Sequence, residues 1–174
     1  TPDGEFSAIL YRRDRFELLD GQTFWLSSTP DVAGSKGWDA ALPRIATWAK
    51  FKDKKTGKKF FCFNTHFDHI GVQARMESAK LLLSKMKAIA GDAPVILTGD
   101  FNSIESDTPY QLITGVDSDY KMTDALYASA LPHHGTMGSF SGNFMLPGVG
   151  TNRIDFIFTR AHITVLKHAI LSDS

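Results

Sequence analysis

The sequence predicts an α/β (α+β) fold in which two packed, mostly antiparallel β-sheets are flanked by helices. Three observations carry this. Many short apolar segments follow the two-residue rhythm of strands and are joined by turn residues, while only 72–90 shows a long helical period. The 13 phenylalanines among 174 residues supply the bulk that a thick core between sheets needs. The length suits one domain with a real core, read here as residues 1–174.

Residues 6–11 (Phe-Ser-Ala-Ile-Leu-Tyr) read as the first strand. Segments 16–19 and 23–27 follow, with Asp20-Gly21 between them as a two-residue hairpin signal. Residues 28–42 form a loop with Pro30, Gly34, Gly37 and a solitary Trp38. Strands at 44–52 and 59–66 flank the basic turn Asp53-Lys54-Lys55-Thr56-Gly57-Lys58, which reads as a solvated hairpin tip or a phosphate-steering patch. In 72–90, Val72, Met76, Ala79, Leu83, Met86 and Ala90 recur at three- and four-residue steps, and Gly91 closes the helix. Residues 94–98 form an apolar strand, and Pro109 opens a short helix over 109–114. A loop-rich stretch spans 129–152, with His133 and His134, and strands at 153–159 and 162–171 close the chain. The long helix lies between two apolar strands and should cover an outer sheet face.

Composition excludes several function classes. Net charge is zero, whereas a nonspecific nucleic-acid binder needs many uncompensated Lys and Arg. Cys62 is the lone cysteine, so no internal disulfide forms. No apolar run approaches the ~20 residues of a membrane span, and no signal peptide is visible. The chain starts Thr1-Pro2-Asp3-Gly4 without methionine, so it is expected to be a trimmed or processed piece.

The chemistry concentrates in three places. In Phe60 to His69, strand alternation puts Asn64, His66 and Asp68 on one side and Phe61, Phe63 and Phe67 on the other. Polar groups gathered at a strand end suit a cleft, where His66 could contact a phosphate oxygen or move a proton. The spacing of His66 and His69 alone does not make a zinc site, because no Cys or His pair elsewhere completes it. In Gly99-Asp100-Phe101-Asn102, a strand ends in a carboxylate and a carboxamide that share one side if the extension persists. These are oxygen ligands for a hard cation such as Mg²⁺, or a local strand-to-loop cap. In Arg153-Ile154-Asp155-Phe156-Ile157-Phe158, an inward Asp155 needs a partner. Arg153 could provide a structural ion pair, or Asp155 could orient a catalytic histidine. Tyr11, Arg44 and Asn64 are the candidate substrate-binding groups. No Gly-x-Ser-x-Gly elbow, P-loop or paired Cys motif supports a covalent mechanism.

Taken in order, Asn64-Thr65-His66, Gly99-Asp100-Phe101-Asn102 and Arg153-Ile154-Asp155-Phe156-Ile157-Phe158 resemble the endonuclease/exonuclease/phosphatase superfamily. Gly135 to Gly142 resembles the loop before its Arg-Ile-Asp strand. Gly37-Trp38-Asp39 through Trp48 resembles a bacterial subgroup of phosphohydrolases. The resemblance implies a four-layer DNase I-like sandwich and in-line attack of water on phosphorus with Mg²⁺ or Mn²⁺. It implies that Asp100 aligns water, Asn102 holds a phosphoryl oxygen and His66 contacts the phosphate. Asp155 would orient a second histidine, Tyr11 would help bind phosphate, and Asp100 and Asn102 would be the metal-side residues.

The pattern departs from the family at both ends. The family's early strand with an Asn and its metal-binding Glu have no counterpart before Tyr11. The closing Ser-Asp-His is not reached by Leu171-Ser172-Asp173-Ser174. The expectation is a domain incomplete at both termini, exposing sheet edges that pair with a second copy or a complementing segment. For the parent protein the leading expectation is a metal-dependent phosphoesterase acting on phosphodiesters or phosphomonoesters. The alternatives are a DNA or RNA nuclease, a sphingomyelinase-like or inositol-phosphate phosphatase-like enzyme, and a noncatalytic fragment with a binding role. A soluble protein is expected, with secreted and periplasmic locations both open.

Overall fold

The computed structural model describes residues 5–115, 118–140 and 152–171. Its elements are β1 (Phe16–Trp25), β2 (Ile45–Asp53), β3 (Lys59–His66), α1 (Val72–Ala90), β4 (Val95–Asp100), α2 (Thr108–Thr114), β5 (Thr123–Asp124), α3 (Ala125–Ala128), β6 (His134–Gly135), β7 (Asp155–Arg160) and β8 (Ala169–Ile170). A six-stranded mixed sheet has the order β1-β2-β3-β4-β7-β5, and β6 with β8 forms a second, two-stranded sheet. Only β3 and β4 are parallel neighbours in the large sheet. α1 makes the crossover that a parallel pair requires. Sheets and helices together match the expected α+β class.

Alternation along β3, β4 and β7 sorts the sheet into two faces. Phe61, Phe63, Val95, Leu97, Phe156 and Phe158 are buried and form one core cluster with Ala79, Leu82 and Met86 of α1 and Ile113 of α2. The opposite face carries Cys62, Asn64, His66, Ile96, Thr98, Asp100, Asp155 and Ile157, none fully buried. α1 starts where Asp39 accepts the backbone N–H groups of Gln73 and Ala74, tying loop 28–42 to the helix. It ends at Gly91, whose φ of 54° suits a residue without Cβ. The buried stripe of α1 is Ala74, Ser78, Ala79, Leu82, Met86 and Ala90, while Val72 is 69% exposed. The expected stripe was therefore rotated, and only Ala79, Met86 and Ala90 are common to both.

Three expectations need correction. Residues 6–11 form no strand: they run as coil along the open face, with the Ala8 carbonyl accepting from Asn64 Nδ2 at 3.0 Å. Asp20-Gly21 makes no hairpin, because β2 is long enough to pair with 16–25 throughout. The extra residue is absorbed as a bulge between Leu18 and Asp20. Segment 162–171 contributes only Ala169–Ile170 as strand, since Ala161 and His162 adopt φ of 53° and 54° and turn the chain. The basic turn after β2 stands at the opposite end of β3 from His66, about 23 Å along the strand. It is a hairpin tip. Among the described residues no helix is long and apolar enough to cross a membrane. Residues 141–151, which include part of the glycine-rich loop, and 172–174 lie outside the described residues.

Candidate active site

Strand register assembles the site. His66 of β3 pairs with Asp100 of β4, and Asp100 pairs with Asp155 of β7. The three side chains thus form one row across three adjacent strands, on the face away from α1. Directly opposed residues in a sheet have Cβ atoms about 5 Å apart, so the row is a compact polar strip. Gly99 makes the close approach possible: a Cβ there would lie 2.1 Å from the Thr65 carbonyl oxygen.

His66 stands between two carboxylates. Its Nε2 is 3.5 Å from Asp100 Oδ2, and its Nδ1 is 3.2 Å from Glu5 Oε2. Asp100 Oδ1 accepts the Asn102 backbone N–H at 2.8 Å, which leaves Oδ2 toward His66 and the cleft. Burial and the nearby Asp100 charge raise the Asp155 carboxyl above the usual carboxylate range, against the opposing pull of Ser139 and His66. A cleft of about 550 Å³ opens over this row, bordered by Phe6, Asn64, Thr98, Ser139 and His168. Among the described residues that line it there is no Lys or Arg.

The remaining expected site residues sit elsewhere or do other work. Asn102 does not share a side with Asp100: its φ of 44° ends the extension, and its Nδ2 donates to the Phe67 carbonyl at 3.0 Å. Among the described residues nothing hydrogen-bonds its amide oxygen. Arg44 is buried behind the cleft, bonded to Glu5 and to His69 Nδ1 at 3.1 Å, with Asp68 at 3.7 Å. Tyr11 packs its ring 4.8 Å from that of Phe51 and lines an apolar groove at the other end of the open face. Asn64 borders the cleft, with its amide nitrogen on Ala8 and its oxygen accepting from Thr98 at 2.9 Å.

Two assumptions behind the sequence reading fail. Asp155 as a residue stays exposed at the start of β7, and only its carboxyl is partly desolvated beside Asp100 and Ser139. Arg153 is buried but forms no pair with Asp155, because it precedes β7 and turns to Asp124 at 2.5 Å and Glu105 at 2.6 Å. Asp68 leaves the His66 side altogether. Burial opposes its charge, but the backbone N–H groups of Gly71, Ala41, Ile70 and Leu42 outweigh it and hold the carboxyl well below the usual range. Sequence reasoning missed Glu5, Ser139 and His168 as site residues. The adjacent His133-His134 was a signal for a polar loop, but nothing in the sequence aimed it at the cleft.

Donor chemistry at the row fits a hard divalent cation in kind. Asp100 Oδ2 and the Asp155 carboxyl are oxygen donors, and among the described lining residues no Lys or Arg neutralises them. Among the described residues no three His, Cys, Asp or Glu converge into a cage.

A model of the Endonuclease/Exonuclease/phosphatase family matches residues 1–174. A solved endonuclease/exonuclease/phosphatase from Bacteroides vulgatus is 43% identical, with a TM-score of 0.87 over 94% of this chain and 62% of that one. A mannosyl-6-phosphatase from Bacteroides thetaiotaomicron is 40% identical, with a TM-score of 0.82 over 94% of this chain and 60% of that one. Protein angel of Drosophila melanogaster is 29% identical over 121 residues, which is 67% of this chain and 32% of that protein. The chain therefore spans about three-fifths of those solved chains and about a third of that relative.

Proposed function

The chain belongs to the endonuclease/exonuclease/phosphatase family, and from that premise we propose that its protein hydrolyses small phosphomonoesters by direct attack of water. One observation carries the reading: His66, Asp100 and Asp155 share a single cross-strand row at the floor of an open cleft. The phosphatase activity named for the Bacteroides thetaiotaomicron relative supports a monoester substrate.

Each residue has a task its contacts support. Asp100 holds one oxygen on the Asn102 N–H and keeps the other free to orient water. His66, flanked by Glu5 and Asp100, donates toward a phosphoryl oxygen or the leaving group. Asp155, with its raised carboxyl, closes the row as proton holder or as partner for a further base. A phosphate brings negative charge into a cleft whose described lining has two carboxylates and no Lys or Arg. Asp100, beside Asp155 in the lining, would therefore hold Mg²⁺ or Mn²⁺, which would supply the neutralising charge. The rate enhancement is then positioning and electrostatics, without a covalent enzyme intermediate.

The test is a panel of sugar phosphates, an aryl phosphate, a phosphodiester and plasmid DNA, each with Mg²⁺ or chelator. Monoesters should be cleaved fastest, chelator should abolish turnover, and Asp100→Asn should lower kcat by about 10²–10⁴-fold. Turnover that survives both chelation and Asp100→Asn overturns the reading.

A further inference from the structure

Ser139 borders the cleft where the loop before β7 meets the row, and its single side-chain oxygen is fully committed. Oγ accepts the backbone N–H of Ile154 at 3.0 Å and that of Asp155 at 3.0 Å. A serine hydroxyl offers two lone pairs and one proton. With both lone pairs taken, the proton remains, and the Asp155 carboxyl is the group that receives it.

The two N–H groups show why a side chain is needed here. Successive N–H groups of an extended chain point to opposite sides, so two that meet on one oxygen mark a bend. This bend falls at the entry to β7, whose ladder begins with Asp155 opposite Asp100. The Ile154 carbonyl accepts the N–H of Phe101, the residue after Asp100, at 2.8 Å. The backbone under Asp155 is thus fixed from two directions, by Ser139 and by the end of β4.

Ser139 is itself seated. Its N–H and that of Phe140 both donate to the Asn152 carbonyl at 3.1 Å, and Phe140 pairs with Asn152 in an isolated antiparallel bridge. The carboxyl needs such a holder. Asp100 lies directly across the ladder, and its like charge favours an Asp155 side chain turned away from the row. Arg153, the nearest cation in sequence, is spent on Asp124 and Glu105.

We propose that Ser139 is the positioning residue of the row: its hydroxyl accepts from the Ile154–Asp155 backbone and, by donating to the Asp155 carboxylate, holds that group beside Asp100. This rests on the phosphoesterase reading above. Ser139 acts through Asp155 alone, so its loss should slow the chemical step and spare substrate binding.

A double-mutant cycle with an aryl phosphate and Mg²⁺ tests this. Ser139→Ala should lower kcat about ten- to a hundredfold with KM little changed, and Ser139→Thr, which keeps the hydroxyl, should recover most of the loss. In an Asp155→Ala background, Ser139→Ala should lower kcat by less than about twofold more. A merely structural serine would lower kcat by the same factor in both backgrounds, and that result overturns the proposal. An unchanged kcat in Ser139→Ala overturns it too. If the unmodified protein cleaves no ester, the phosphoesterase reading fails by itself. In that case, or where Asp155→Ala is inactive, crystal structures of the unmodified and Ser139→Ala proteins decide the clamp. The Asp155 side chain should leave its rotamer in the variant, and an unmoved carboxyl rejects the clamp.

Discussion

Two aspartates at the ends of parallel neighbours show how one residue type serves two purposes. Asp68 lies two residues beyond β3, and Asp100 is the last residue of β4. Asp68 is 1% exposed, and its oxygens accept the N–H groups of Ala41, Leu42, Ile70 and Gly71 at 2.8–3.2 Å. Asp100 accepts one backbone N–H, and its side chain is 29% exposed toward the cleft. The first carboxylate is satisfied and knits the loop before β2 to the start of α1. The second is left under-satisfied beside a histidine, with binding capacity for something that is not protein. Unmet hydrogen-bonding capacity, more than residue type, separates the working group from the scaffold.

Truncating each aspartate breaks that comparison in opposite ways. Asp68→Ala strands four backbone N–H donors, that of buried Gly71 among them, and the buried Arg44 guanidinium, so it should cost about 3 kcal/mol. In a domain of this size that is a fall in Tm of ~6–12 °C. Asp100→Ala frees one half-buried N–H and should change stability by less than about 1 kcal/mol while activity collapses. Thermal melts of both variants check this. A large loss of stability in Asp100→Ala would place it among the scaffold groups.

Acid titration sharpens the contrast. The Arg15 guanidinium at 2.7 Å holds the Asp53 carboxyl below its usual range, and backbone donors do the same for Asp68 against the cost of burial. Folded-state values below the unfolded value mean that this stability is present above about pH 4 and is lost as pH falls further. Asp155 is shifted the other way, by burial and by Asp100. A raised carboxyl opposes folding once pH climbs through its folded value, so Asp155→Asn should leave the protein equally or more stable at pH 7 while impairing turnover. Urea midpoints at pH 3, 5 and 7 test both signs. Asp68→Asn should flatten the acid limb, and a drop at pH 7 for Asp155→Asn would contradict the assigned environment.

The same contrast explains what was legible in the sequence. β2, β3, β4, α1 and α2 were readable because alternation, helical period, Gly91 and Pro109 are local signals. The bulge in β1 and the coil at 6–11 depend on what the partner strand offers, which no local pattern encodes. The site residues His66, Asp100 and Asp155 stood out as polar groups at apolar strand ends, but their alignment is a matter of register between distant segments. Asp68 and Arg153 defeated strand alternation because each lies just outside its strand, where the chain turns. Glu5 and His168 carried no signal, since their roles come entirely from folding a coil and a two-residue strand against the open face.

The open face also differs between its two ends, and Cys62 reports on the second. It shares that face with Asn64 and His66. It borders a groove lined by Ile9, Leu10, Tyr11 and Ile96, so its surroundings are apolar. Burial pushes its thiol up to about 11. Near neutral pH it should carry about a hundredfold less thiolate than an ordinary cysteine and react that much more slowly with iodoacetamide. Denaturant should restore the ordinary rate. A Leu10→Asp, Ile9→Asp variant should speed the reaction in the folded protein, because it loosens the 6–11 segment from the groove. The row at His66 lies at the other end of the sheet, so the double variant should leave the acid limb of Asp68 unchanged. Rapid labelling of the unmodified protein would mean that the apolar end is as open to water as the cleft, and the two ends would no longer be distinct.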